Sequence, residues 1–368
     1  MTRIFIDYLN TISINVDKAL ENIPNTNIKF KEFGDLVIFN YKNKYGSEIE
    51  RSCRGLIMDK TNKKVVCSPN MGALDLESFI KKVSFDECVI EQSYEGTLVK
   101  SYYYNNRWNI STKFCINSEN SKFRSKKSFR QYFDELCNIN FDTLDKHFTY
   151  SFLLQIPSNR LVTNISEKRL FHIETQNNIT GEKINLDIGV LKPTILKLRD
   201  VDSLGVSSYR GINKELNNLD WNERGFMLYS IDRKYRCSLI NNNYKAIYDY
   251  IKNQSDIKFL LLESIYYKKN LEKYIQYFPE YKKTEERVRS KFKELVKNLY
   301  NLYKEYYCFK TREFSEIPGK KKKILNEIHK IYKTRHRNDL LFRISLLDVE
   351  TVLLTESCAY LYTLLFKI

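Results

Sequence analysis

Ser52-Cys53-Arg54-Gly55-Leu56-Ile57-Met58 and, further on, Ser93-Tyr94-Glu95-Gly96-Thr97-Leu98 each set a charged residue beside a glycine and then run into apolar, β-prone residues. Glycine at the entrance of such a run marks a turn or a tight strand contact. The same texture extends outward on both sides. Leu36 to Phe39, Val65 to Cys67, Leu98 to Tyr103, Ser151 to Leu154 and Gly225 to Tyr229 are short apolar stretches broken by Asn, Asp, Ser and Gly, and their lengths are those of strands. Connections as short as Asn105-Asn106 predict antiparallel pairing, because parallel strands need long crossovers. The reading is an α+β fold with an antiparallel-sheet domain over residues 1–250.

Beyond residue 250 the period changes. Between Thr284 and Tyr307 the apolar residues Val288, Phe292, Leu295, Leu299, Leu302 and Tyr306 recur at steps of three and four, which predicts an amphipathic helix. Pro318-Gly319 breaks the chain before a basic helix that opens with Lys320, Lys321, Lys322 and Lys323 and carries Ile324, Leu325, Ile328 and Ile331. A last helix is expected after Asn338, with Leu340 to Phe366 as the buried spine of a bundle. Residues 251–368 thus read as an all-α, basic C-terminal domain.

Composition narrows the function classes. A chain of 368 residues with 42% hydrophobic and 29% charged residues is a folded protein and not a disordered one. The 61 Lys and Arg against 45 Asp and Glu give a net charge of +16, which favours a polyanionic partner such as nucleic acid. Residues 281–340 hold 18 Lys and Arg against 8 Asp and Glu, and so supply +10 of that excess. The start MTRIFIDYLN lacks a basic stretch followed by an apolar run, and no window is apolar enough to span a membrane. A cytoplasmic protein is expected. The 8 Cys and 4 His are scattered without ligand spacing, so neither a metal site nor a cofactor is expected.

Taken in order, Ser52 to Met58, Leu74 to Phe79, Ser93 to Leu98, Ser111-Thr112-Lys113, Pro157 to Val162 and Arg224-Gly225-Phe226-Met227 resemble the ATP-dependent RNA ligases of the phage RNA ligase 1 type, over roughly residues 30 to 245. The resemblance implies a nucleotidyltransferase domain. In that family an Arg-Gly pair precedes a Lys-x-Asp/Glu-Gly motif whose lysine attacks the α-phosphate of ATP, a step that needs an amine of lowered pKa. Here Ser93 stands in that place, although Glu95-Gly96 are kept. Leu153 falls where a ribose-binding glutamate is implied, Arg224 where a metal-binding glutamate is implied, and Ser78 where a lysine is implied. Tyr235-Arg236-Cys237-Ser238 leaves one cation where two alternating lysines are implied. Lys100 lies an odd offset of seven from Ser93 and so points to the other face of a regular strand. Lys113 matches a position that touches phosphate from the side.

These substitutions predict a pseudoenzyme. Arg54, Lys113, Arg160, Arg224 and Arg236 are expected to converge on one cleft emptied of carboxylates apart from Glu95, suited to a phosphate or an RNA backbone, with Lys320 to Lys323 as further contacts. The glycines Gly55, Gly96 and Gly225 are read as holding turns. The chain also resembles the immunity proteins of yeast linear killer plasmids, of the Pichia acaciae type. That resemblance implies a ribotoxin (an anticodon nuclease), tRNA, or both as partners. Two other classes stay open: an active or atypical RNA ligase in RNA repair, and an RNA-binding structural protein.

Overall fold

The computed structural model describes residues 2–13, 15–23, 27–43, 45–196, 208–251, 254–267, 269 and 271–366. Two compact units divide the chain at 253/254. The first carries three antiparallel sheets. Strands β1 (Ile28–Phe33), β2 (Leu36–Tyr41), β3 (Ile57–Asp59) and β4 (Lys64–Cys67) form one sheet in that order. Strands β5 (Cys88–Gln92), β6 (Thr97–Tyr104), β7 (Arg107–Thr112), β8 (Phe148–Gln155), β9 (Arg169–Asn177), β10 (Lys183–Ile184), β11 (Ile195–Leu196), β12 (Gly225–Ser230) and β13 (Arg236–Ile240) make the other two, ordered β10-β9-β8-β6-β7 and β11-β5-β12-β13. The predicted antiparallel α+β architecture is the one observed.

β2 shows why these runs lack polar alternation. Its six residues are all buried. Val37, Phe39 and Tyr41 pack with Phe5, Leu9, Ala19 and Leu20 of the N-terminal helices, while Leu36 and Ile38 pack on the opposite face with Ile57, Cys67 and Tyr102. A strand covered on both faces has no solvent side to mark with polar residues. The second face joins the first sheet to β6 of the second. The outer face of that second sheet buries Val99, Phe152 and Leu154 under Phe129, Tyr132 and Phe133 of the helix Phe129–Leu136. Ser128 and Gln131 close a capping box that starts that helix. Asn105 and Asn106 take φ of 50° and 57°, the left-handed turn that lets two residues join β6 to β7.

The second unit holds the helices Ile257–Tyr266, Leu271–Tyr277, Lys282–Tyr303, Gly319–His336, Leu346–Leu353 and Cys358–Phe366. Two expectations are corrected. Val288, Phe292, Leu295 and Leu299 are buried as their spacing predicts, but Tyr303 then takes the inward position and Leu302 and Tyr306 stay half-buried. Tyr303, four residues after Leu299, continues the stripe of the regular helix, and the π-helical turn over Lys304–Cys308 then adds a residue that shifts the register from Tyr306 onward. Nor is Leu340 to Phe366 one buried spine. Leu340, Leu341 and Leu347 are 75%, 83% and 70% exposed, and the run breaks between two short helices set at 115°. Ser345 caps the first through a box with Asp348, and the Ser357 hydroxyl accepts the Tyr360 amide at the start of the second. No single helix among the described residues is long and apolar enough to cross a membrane.

Gly225 pins the third sheet. Its φ is +126°, and a Cβ there would stand 2.2 Å from the Leu239 carbonyl oxygen across the β12–β13 ladder. Gly225→Ala should therefore destabilise the first unit by about 3 kcal/mol through backbone strain and overpacking. A fall in the urea midpoint at unchanged slope is the expected reading.

Candidate functional site: a cation-lined cleft

A cleft of about 750 Å³ opens between the second and third sheets of the first unit. Ser93-Tyr94-Glu95-Gly96 crosses from β5 of the third sheet to β6 of the second, so the chain between the two sheets forms part of the lining. Arg54 follows the helix Glu48–Ser52, Lys113 follows β7, Arg224 precedes β12 and Arg236 opens β13. All four cations line the cleft together with Ser93 and Leu153.

Among the described residues no carboxylate forms an ion pair with any of these four. Arg224 donates to the Tyr94 carbonyl at 3.2 Å through Nη1, but its Nε is buried without an acceptor, and so is Nε of Arg236, a residue only 8% exposed. Burial, and then the fields of Arg236 and Arg224, push the Arg54 guanidinium down to about 10. Burial first and Arg54 second push the Lys113 amine down to about 8. Like charges gathered out of water raise one another's cost of ionisation. An oxyanion seated among them would supply the missing acceptors.

The two carboxylates that face this cleft are already engaged. Glu95, 2% exposed, accepts the backbone amides of Leu161, of Val162 at 2.8 Å and of Thr163 at 2.9 Å, and the Tyr244 hydroxyl at 2.8 Å. Glu91 was absent from the expected lining and is present in it, bound to Arg233. Burial raises the Glu91 carboxyl, with Arg233 opposing. No group of three His, Cys, Asp or Glu among the described residues could hold a metal ion.

Two residues expected in the cleft lie elsewhere. Ser78 does not line the cleft; its hydroxyl donates to Asp75 at 2.8 Å in the cap of the helix Leu76–Ile80. Leu74 to Phe79 serves instead to close the third sheet, where Leu74 and Phe79 enter its core. Arg160 is turned into its own loop, with Nε donating to the Val162 carbonyl at 3.1 Å, so it does not join the other four cations. Lys323 of the second unit is paired with Glu356 at 2.8 Å. Lys100 is kept from the cleft, for a reason other than strand alternation. The chain bends at Ser93 to Gly96, and Lys100 is fully buried beneath the Gly55 turn, donating to the carbonyls of Gly55 and, at 2.9 Å, of Ser68. Gly55, at φ +70°, and Gly96, where a Cβ would meet the Leu154 carbonyl at 2.8 Å, hold turns and close backbone contacts as read.

Sequence spacing carried no signal for the network behind the cleft. Glu174 of β9 is fully buried, paired with Lys183 of β10 at 2.9 Å and accepting from Asn70 at 2.6 Å, while Asn70 also donates to Ser151 at 2.8 Å. Burial works to raise this carboxyl, but Lys183 and Arg236 outweigh it and hold the group at about 2, below its usual 4.5.

No protein-family model matches the chain. It is 25% identical over 142 residues to the immediate-early protein ICP-46 homolog of Invertebrate iridescent virus 3, covering 33% of this chain and 32% of that one. It is 28% identical over 187 residues to a putative bifunctional polynucleotide kinase/RNA ligase of Autographa californica nuclear polyhedrosis virus, covering 42% and 26%. The matches thus span about a third and a quarter of those relatives. Among solved structures it is similar to a putative ATP-dependent DNA ligase from Aquifex aeolicus, at TM-score 0.43 and 13% identity over 77% of this chain and 80% of that one. An archaeal ATP-dependent RNA ligase gives TM-score 0.46 and 10% identity over 71% and 68%.

The Glu174–Lys183 pair carries a pH signature. Because the folded carboxyl sits below its unfolded value, its contribution is complete above about pH 4.5 and fades as the pH falls toward about 2. Lys183→Met should cost about 3–5 kcal/mol at pH 7, since it strands a buried charge. In the variant, burial raises the carboxyl, so protonation relieves the penalty. The stability gap between wild type and variant, followed by denaturant titration, should shrink steadily with acidification.

Proposed function

We propose that this chain is a non-catalytic RNA-ligase-like protein whose cleft holds an RNA phosphate. We further propose that it acts in the cytoplasm as an immunity factor protecting tRNA from an anticodon nuclease. The observation that carries the first part is the group Arg54, Lys113, Arg224 and Arg236, unpaired with acids and with two buried guanidinium nitrogens lacking acceptors. The motif order around Ser93, and the 28% identity to a putative viral polynucleotide kinase/RNA ligase, support an RNA ligase ancestry. Ser93 supports the loss of chemistry. A serine hydroxyl needs a base to become a nucleophile, and among the described residues no histidine hydrogen-bonds to it.

Phosphate binding predicts that Arg54→Ala and Arg236→Ala each weaken a terminally phosphorylated single-stranded RNA roughly tenfold or more, the range of one charge-assisted hydrogen bond. The salt dependence should flatten by about 0.7 log units for each phosphate no longer neutralised. Unchanged affinity in both variants would remove the cleft from RNA binding.

Lys113 favours a second reading. An amine lowered to about 8 beside Arg54 is more nucleophilic at neutral pH than an ordinary lysine, and an atypical nucleotidyltransferase could use it. Incubation with radiolabelled ATP or GTP and Mg²⁺ or Mn²⁺ decides between the two. The non-catalytic reading expects no acid-stable label on the protein, whereas label abolished by Lys113→Met establishes the second. For the immunity role, expression in a sensitive yeast should prevent killing by the toxin, and Ser93→Ala should protect equally well. Blocking of cleavage is the expected route, because a cleft without its nucleophile can hold broken ends but cannot reseal them.

A further inference from the structure

The second unit carries four rings in a near-parallel ladder. Tyr307, in the π-helical turn, stacks on His329 at 3.8 Å and 12°. His329 faces Tyr332 at 5.8 Å and 17°, and Tyr332 faces His336 at 4.9 Å and 19°. His329, Tyr332 and His336 follow one another by three and four residues, so they share a face of the helix Gly319–His336. All four rings are half-buried, and Phe309, just past the π turn, is 62% exposed. Burial, with Lys333 next, keeps the His329 imidazole below its ordinary value, so it favours a neutral ring.

Cations flank this ladder. Lys322 and Lys333 lie on the same stripe, seven before and four after His329, and neither has an ion-pair partner among the described residues; Lys322 sits 4.8 Å over the Phe314 ring. Off the stripe, Lys323 pairs with Glu356, Lys330 with Glu327 and Arg335 with Asp348. Lys304 lies over the Tyr300 and Phe309 rings. Glu305, the acid of the π turn, is held by Arg312 at 2.7 Å. Half-exposed stacked rings flanked by uncompensated cations match the chemistry of an unpaired nucleic-acid strand, whose bases offer π faces and whose phosphates offer charge. A partner protein would gain little from so many lysines, which are depleted at protein interfaces.

We propose that the Tyr307–His329–Tyr332–His336 ladder is a stacking platform for unpaired RNA bases, with Lys322 and Lys333 touching the flanking phosphates. The proposal rests on the RNA-binding reading of the chain and adds a second point of attachment, one that reads bases where the cleft reads phosphate. Within the run Lys320 to Lys323 it singles out Lys322, which shares the helical stripe of His329.

The test compares two fluorescent probes on the full chain: an unstructured pyrimidine oligoribonucleotide and an abasic strand of equal length, each with a terminal phosphate. Wild type should bind the base-bearing strand roughly five- to a hundredfold tighter than the abasic one. Tyr332→Ala should abolish that preference, and Tyr332→Phe, which keeps the ring, should retain it. Equal affinity of wild type for the two strands overturns the ladder without requiring any variant to fold. If that equal binding is weakened by Arg236→Ala, the cleft reading stands alone. If neither strand binds, both fall together.

Discussion

The Glu95 carboxylate draws four donors from separate parts of the first unit. It sits in the chain between β5 and β6, it receives the amides of Leu161, Val162 and Thr163 from the loop after β8, and it receives the hydroxyl of Tyr244 from the helix Asn242–Ile251. Its own carbonyl accepts the Gln155 side chain at 2.8 Å. Burying an ionised carboxylate costs several kcal/mol, and charge-assisted hydrogen bonds of about 1.5–3 kcal/mol each offset that cost only when the donors are all in place. The junction of the two sheets is thereby held to one geometry, and Ser93, Arg224 and Leu153 take their positions in the cleft from it.

The cations beside that junction obey the opposite rule. Glu95 is saturated with donors, while Arg224 and Arg236 hold buried donors without acceptors. Burial first, and the repulsion of neighbouring cations after it, lowers Arg54 and Lys113, a cost to the folded protein that Tyr41 and Glu174 offset only in part at Arg54. The neighbouring acids make their ion pairs elsewhere, Glu91 with Arg233 and Glu174 with Lys183, so Glu174 reaches Arg54 and Arg236 through its field alone. A ligand bearing negative charge would bind the folded state alone and stabilise it.

Two kinds of cation thus occur in the chain. Those of the first unit's cleft are few, buried or half-buried, and convergent, which suits the recognition of a defined phosphate. Those of the second unit are numerous and exposed, and many help to satisfy local acids. Along the aromatic stripe of the helix Gly319–His336 they stay unpaired beside rings. The large positive charge of residues 281–340 is a poor guide to where that stripe lies, because ion pairs such as Lys323–Glu356 are invisible to a charge count.

By itself the sequence determined what short-range periodicity and residue chemistry encode. Short apolar runs and two-residue turns marked the antiparallel strands, steps of three and four marked the helix through Val288 and Leu299, and motif order brought Arg54, Lys113, Arg224 and Arg236 to one place. It also placed Ser93 in that cleft. What the tertiary structure alone decided depends on partners far apart in the chain. Glu95 meets Tyr244 across 149 residues and Asn70 meets Glu174 across 104. Arg160 turns into its own loop, although Asn159 and Leu161 on either side of it line the cleft, and Ser78 turns into its own cap. The π turn after Tyr303 and the break near Ser357 likewise escaped a periodic reading. A one-residue rotation of a helix, or a serine choosing to cap, is settled by which neighbour it packs against, and that neighbour is supplied only by the folded chain.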